Sequence, residues 1–149
     1  MADTKIMAEL EATATEQRLE RLLAIARMTL RTVAARADFS GSMQTGMISI
    51  QVSITLLGVL HDQIQESADL YRFDGETKDW LCFDGLLGVL DAEAWRMVSS
   101  NNVPEGELAD LEHGLRRLVT HGERVLARLR DAEAAGDTLV DLEIGGNHG

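Results

Sequence analysis

The sequence predicts an all-α fold, an antiparallel up-down four-helix bundle completed or extended by dimerisation. Three observations predict it. Apolar residues recur at three- and four-residue spacing in four separate stretches of the 149-residue chain. The stretches are separated by short, polar, turn-forming segments, which favour antiparallel neighbours. Finally, no Asp, Glu, Lys or Arg occurs between Phe39 and Leu60, although such residues make up 26% of the chain, and this marks a core element.

The first helix is expected over 4–37. Leu19, Leu22, Leu23, Ala26, Leu30, Val33 and Ala37 form its apolar stripe, with Arg18, Arg21, Arg27, Arg31 and Arg36 left for the wet face. Asp38, Ser40, Gly41 and Ser42 read as a turn. The second helix is expected from Met43 to Tyr71, and here two periods compete. Ile48, Ile50, Val52, Ile54 and Leu56 alternate with polar residues as a strand would, but the helical spacing from Met43 through His61 to Tyr71 covers the whole length. Because Ile48, Val52, Leu56 and Val59 add apolar surface beyond the main stripe, this helix is expected to be covered on more than one side.

After a polar connection containing Gly75, which Asp74 or Thr77 is placed to cap, the third helix presents Trp80, Phe83, Leu87, Leu90, Ala94 and Met97. Pro104 suits the first turn of the fourth, whose seam runs from Leu108 to Ala132 and which Gly136 stops. Residues 1–135 therefore read as one helical domain and 136–149 as a flexible C-terminal tail. The segment LLGVL occurs at 56–60 and again at 86–90. A glycine inside a helix costs about 1 kcal/mol against alanine, so Gly58 and Gly88 predict a close approach of the second and third helices.

Composition narrows the function. A formal charge of -11 excludes direct nucleic-acid binding driven by phosphate neutralisation. A single cysteine, Cys82, excludes an internal disulfide, and its apolar neighbours predict a shielded thiol. The N-terminus lacks a basic-then-apolar leader, and Ser, Thr and Gln interrupt the uncharged stretch, so a cytoplasmic protein without a membrane span is expected. Twelve Arg against two Lys suggest a GC-rich, bacterial genome.

No metal site or cofactor is expected, since none of His61, His113, His121 or His148 has a Glu three residues before it. Neither a nucleophile elbow nor a phosphate-binding glycine loop is present, so no catalytic residue is assigned and the protein reads as non-enzymatic. His61, on the apolar seam between Leu57 and Ile64, is expected to be buried and hydrogen-bonded across the bundle.

What remains is interaction with another protein, as a regulator, adaptor or inhibitor. Between Asp62 and Glu93 nine acids meet only Arg72 and Lys78, a net charge of -7. Asp62, Glu66, Asp69, Asp74, Glu76 and Asp79 are therefore expected to form a surface for a protein partner with basic character. Heptads in the third and fourth helices also predict a homodimer. An alternative comes from His113, Gly114, Leu115, Arg116 and Arg117, which resemble the His-x-Leu-Lys-Gly segment of histidine phosphotransfer domains, with Arg117 where that family has glycine. The resemblance implies an exposed phosphoaccepting histidine, here His113, on an acidic bundle. A further alternative is an acidic inhibitor of phage type that imitates nucleic acid.

Overall fold

A computed structural model describes residues 2–36, 43–100 and 103–135, with side chains from 14–36, 46–100 and 103–135. The described chain is helical. It forms α1 (Ala2–Ala35), α2 (Met43–Ser67), α3 (Leu70–Asp74), α4 (Asp79–Ser100) and α5 (Glu105–Ala134), and no strand occurs among the described residues. The expected turn at 38–42, the stop at Gly136 and the tail at 136–149 lie outside them.

Each of the four long helices packs on two others: α1 on α2 and α5, and α4 on α2 and α5. The shared core takes Leu19, Leu22 and Leu23 from α1, Met47, Ile50, Ile54, Leu57 and Ile64 from α2, Trp80 and Phe83 from α4, and Leu111, Leu115 and Leu118 from α5. Contacts across the seams run in opposite sequence order. On α1 and α5, Arg36 meets Glu105, Arg27 meets Glu123 and Arg130 meets Glu16. On α2 and α4, Thr55 meets Asp91 and Gln65 meets Trp80.

The alternating segment of α2 shows how helical pitch overrides a strand-like pattern. Ile50 and Ile54 turn inward and are 2% and 1% exposed, whereas Ile48, Val52, Leu56 and Val59 face outward and are exposed. The expected second cover over α2 is therefore absent from the described chain. By length and composition Gly46–Ser67 could also cross a membrane, and the same stretch supplies the α2 share of the core.

Helix boundaries differ from expectation where side chains satisfy freed backbone groups. The second helix ends at Ser67 rather than Tyr71, because Gln65 Oε1 accepts from Leu70 N at 3.1 Å and Asp69 caps the short α3 by accepting from Arg72 N at 3.3 Å. Pro104 is the residue before α5 and not its first turn.

Gly58 and Gly88 do not mark a close crossing. A Cβ built on either meets no atom within 4 Å. The tight approaches belong to α5: a Cβ at Gly114 would come within 2.6 Å of Leu90 Cδ2, and one at Gly122 within 2.5 Å of Leu23 Cδ2 and 3.1 Å of Phe83 Cε2.

Candidate functional site

The acidic middle separates into two populations with different surroundings. Asp74 and Asp79, expected on a partner surface, are 3% and 6% exposed. Asp74 Oδ2 accepts from Trp80 N at 2.9 Å and Leu81 N at 3.2 Å, so its carboxylate caps α4 from just upstream of the connecting turn. Left-handed backbone at Gly75 and Lys78, with φ of 60° and 55°, folds that turn tightly enough for the carboxylate to reach. From α5, Arg128 Nη2 donates to Asp74 Oδ1 at 3.2 Å and its guanidinium lies 5.1 Å from the Phe73 ring centre. Asp79 Oδ1 lies 2.9 Å from His121 Nδ1. These two acids fasten the α3–α4 turn to α5, and burial removes them from any partner surface.

The other population stays at the surface. Asp62, Glu66, Asp69 and Glu76 are exposed. Asp69 is engaged in capping α3 and accepts from Gln65 Nε2 at 2.8 Å, leaving Asp62 and Glu66 on the α2 face. Packing brings two further acids of the acidic middle to this face: Asp84 and Asp91 of α4 line the same groove as α2. Between the helices lies a groove of about 230 Å³ lined by Ile54, Thr55, Gly58, His61, Asp62, Asp84, Leu87, Gly88 and Asp91. At one end Gln51 Nε2 donates to Thr55 Oγ1, which donates to Asp91 Oδ1 at 3.1 Å.

Exposed apolar side chains flank the groove. Ile48, Val52, Leu56 and Val59 come from α2; Leu81, Val89 and Trp95 come from α4, and Val52 and Trp95 are 57% and 50% exposed. Cys82, expected to be shielded, is exposed on the outer side of α4, because only Trp80 and Phe83 of that segment turn inward. The α2 helix carries no Lys or Arg, and the lone Arg96 of α4 is paired to Glu107 of α5 at 2.7 Å.

His61 sits where α2 meets α4, its side chain 3% exposed. The imidazole stacks on Trp80 at 4.3 Å between ring centres, with Phe83 at 6.1 Å and Tyr71 edge-on at 6.1 Å. Its Nδ1 lies 3.2 Å from Asp62 Oδ1. Its Nε2 has no hydrogen-bond partner, and Asp84 Oδ1 is 3.9 Å away. The hydrogen bond expected across the bundle is thus replaced by one to the next residue, and one ring nitrogen is left over. Burial, followed by the hydrogen bond to Asp84, pushes the Tyr71 phenol up to about 12.

His113 is exposed on α5. Beside it Glu112 pairs with Arg116 at 3.0 Å and with Arg36 at 2.9 Å, and these guanidiniums hold its carboxyl below the usual range. Among the described residues no three His, Cys, Asp or Glu side chains converge in a way that could hold a metal ion. Comparison with protein-family models, curated proteins and solved structures gave no match.

Proposed function

We propose that this chain is an up-down four-helix bundle that works as an interaction module, docking a basic amphipathic helix of a partner protein on its α2–α4 face. The observation that carries this reading is the concentration of exposed large apolar side chains. Of nine among the described residues, all but Met28 and Tyr71 lie on α2 and α4. An apolar strip of that kind rimmed by polar groups is the usual mark of a binding surface. Charge selects the occupant. Asp62, Glu66, Asp84 and Asp91 edge the strip without a free Lys or Arg on either helix, so a cationic helix gains where a second copy of this face would bring like charges together. A homodimer through this face is the competing reading.

Trp95 supplies the test, since Trp80 is buried and only Trp95 is exposed on the face. Titration with a short amphipathic Leu/Lys helical peptide should blue-shift Trp95 emission, whereas a scrambled peptide of the same composition should not. Val52→Asp should abolish the shift without loss of helicity. Equal response to both peptides, or a dimer by light scattering that already buries Trp95, would overturn helix docking. The phosphotransfer alternative rests on the exposure of His113 and predicts acid-labile labelling by acetyl phosphate that is lost in His113→Gln.

A further inference from the structure

Resting on the reading of the α2–α4 face as the receiver of a basic partner, we propose that the groove between Gly58 and Gly88 is a guanidinium pocket that seats one arginine side chain of that partner. Three independent features converge there. The first is room. A Cβ at Gly58 or Gly88 meets nothing within 4 Å, and the groove between them holds about 230 Å³ above an apolar floor of Ile54 and Leu87. Two glycines that would each weaken a helix interior thereby acquire a purpose: they keep a channel open for an incoming aliphatic stem.

The second feature is charge. The carboxylates of Asp62, Asp84 and Asp91 line the groove, and no Lys or Arg does. A metal ion is a poor occupant, because no three ligating side chains converge among the described residues. An extended organic cation, whose charge is spread over several atoms, matches acids distributed along a channel.

The third feature chooses guanidinium over ammonium. Carboxylate oxygens only accept, so His61 Nδ1, 3.2 Å from Asp62 Oδ1, carries the ring hydrogen and donates it. In the neutral ring that leaves Nε2 with a lone pair, and this atom is buried without a partner. Asp84 Oδ1, at 3.9 Å, is also an acceptor and lies outside hydrogen-bonding reach of Nε2. Two acceptors of different kinds therefore sit side by side at the groove wall. A guanidinium presents N–H groups on adjacent nitrogens in one rigid plane and satisfies both, while an ammonium acts as a point charge. Asp62 holds the imidazole tautomer that makes this possible.

The test uses the full chain and small probes, so it does not depend on the partner. In an NMR titration, N-acetyl-arginine amide should shift His61 Nε2 and the Trp80 indole N–H in a saturable way, with N-acetyl-lysine amide weaker by roughly tenfold. His61→Phe keeps the aromatic stack but removes the acceptor, and Gly58→Leu fills the channel. Each should weaken the arginine probe by roughly tenfold while circular dichroism confirms a folded chain. Equal affinity for the two probes, or an unchanged titration in His61→Phe, would overturn the pocket even if the amphipathic peptide still docks beside Trp95. Arginine binding with no peptide docking would instead sink the helix-docking reading and leave the pocket standing.

Discussion

The α1–α5 seam and the α2–α4 face are built from opposite materials. Across the first, arginines meet carboxylates along its length: Arg36 with Glu105 and Glu112, Arg27 with Glu123, and Arg130 with Glu16 and Glu20. Met28 is the one large apolar side chain of these two helices that is exposed among the described residues. Across the second, α2 carries no Lys or Arg, the one arginine of α4 turns to Glu107 of α5, and the apolar side chains stand in water. One side of the bundle has closed on itself. The other leaves large apolar side chains exposed.

The largest expected effect probes the node that joins the two sides. Asp74→Ala removes the cap of α4 and leaves Arg128 only its longer contact to Asp79 at 3.7 Å, so chemical denaturation should show a loss of about 2–4 kcal/mol. A loss below about 1 kcal/mol would mean that the turn is not held by α5 and that the two sides are energetically independent.

Glycine substitutions sharpen the contrast further, because the same change should have opposite signs on the two sides. Gly122→Ala places a methyl 2.5 Å from Leu23 Cδ2 and 3.1 Å from Phe83 Cε2, and overpacking should cost about 1–3 kcal/mol. Gly58→Ala enters open space and should stabilise by up to about 1 kcal/mol through helix propensity. Destabilisation by Gly58→Ala in a thermal melt would show that the α2–α4 face is more closed than drawn.

A pH-dependent effect near neutrality is expected on the α1–α5 side. Burial, and then the neighbouring Glu16, push Glu133 up to about 7, while Arg130 followed by Glu133 holds Glu16 down. A carboxyl whose folded pKa is raised binds its proton more tightly when folded. Its contribution is fully present below the ordinary value of 4.5 and is lost as pH rises through about 7. Glu133→Gln should therefore stabilise the chain by about 1 kcal/mol near pH 8 and bring almost nothing near pH 4, a difference readable from paired melting curves. Equal gains at both pH values would remove the proton held by Glu133 as the cause.

The smallest effect should come from the ion pairs themselves. Arg27 and Glu123 are both about half exposed, so Arg27→Ala should cost less than about 1 kcal/mol and less still in high salt. If it cost more, the charged seam would be holding the bundle together rather than finishing its surface.

Much of this was legible in the chain. The three-four spacing of Trp80, Phe83, Leu87, Leu90, Ala94 and Met97 names the buried apolar residues of α4, and the stripe from Leu108 to Leu129 names most of those of α5. Local periodicity suffices there because each helix has one apolar stripe and thus one way to face a core. The acidic excess and the interest of His61 were also visible. Burial of Asp74 and Asp79 was not, because it depends on His121 and Arg128, which reach them from far along the chain.

The sequence by itself determined a helical chain, the inward faces of α1, α4 and α5, and the acidity of the middle, because these follow from the spacing and kind of neighbouring side chains. Tertiary structure alone decided that the second apolar stripe of α2, Ile48, Val52, Leu56 and Val59, stays uncovered, since apolar spacing alone does not say how many neighbours a helix has. It also decided what Gly58 and Gly88 mean. A missing side chain has the same local signature whether a neighbour presses against it or a groove opens above it, and only the position of the neighbouring helix tells the two apart.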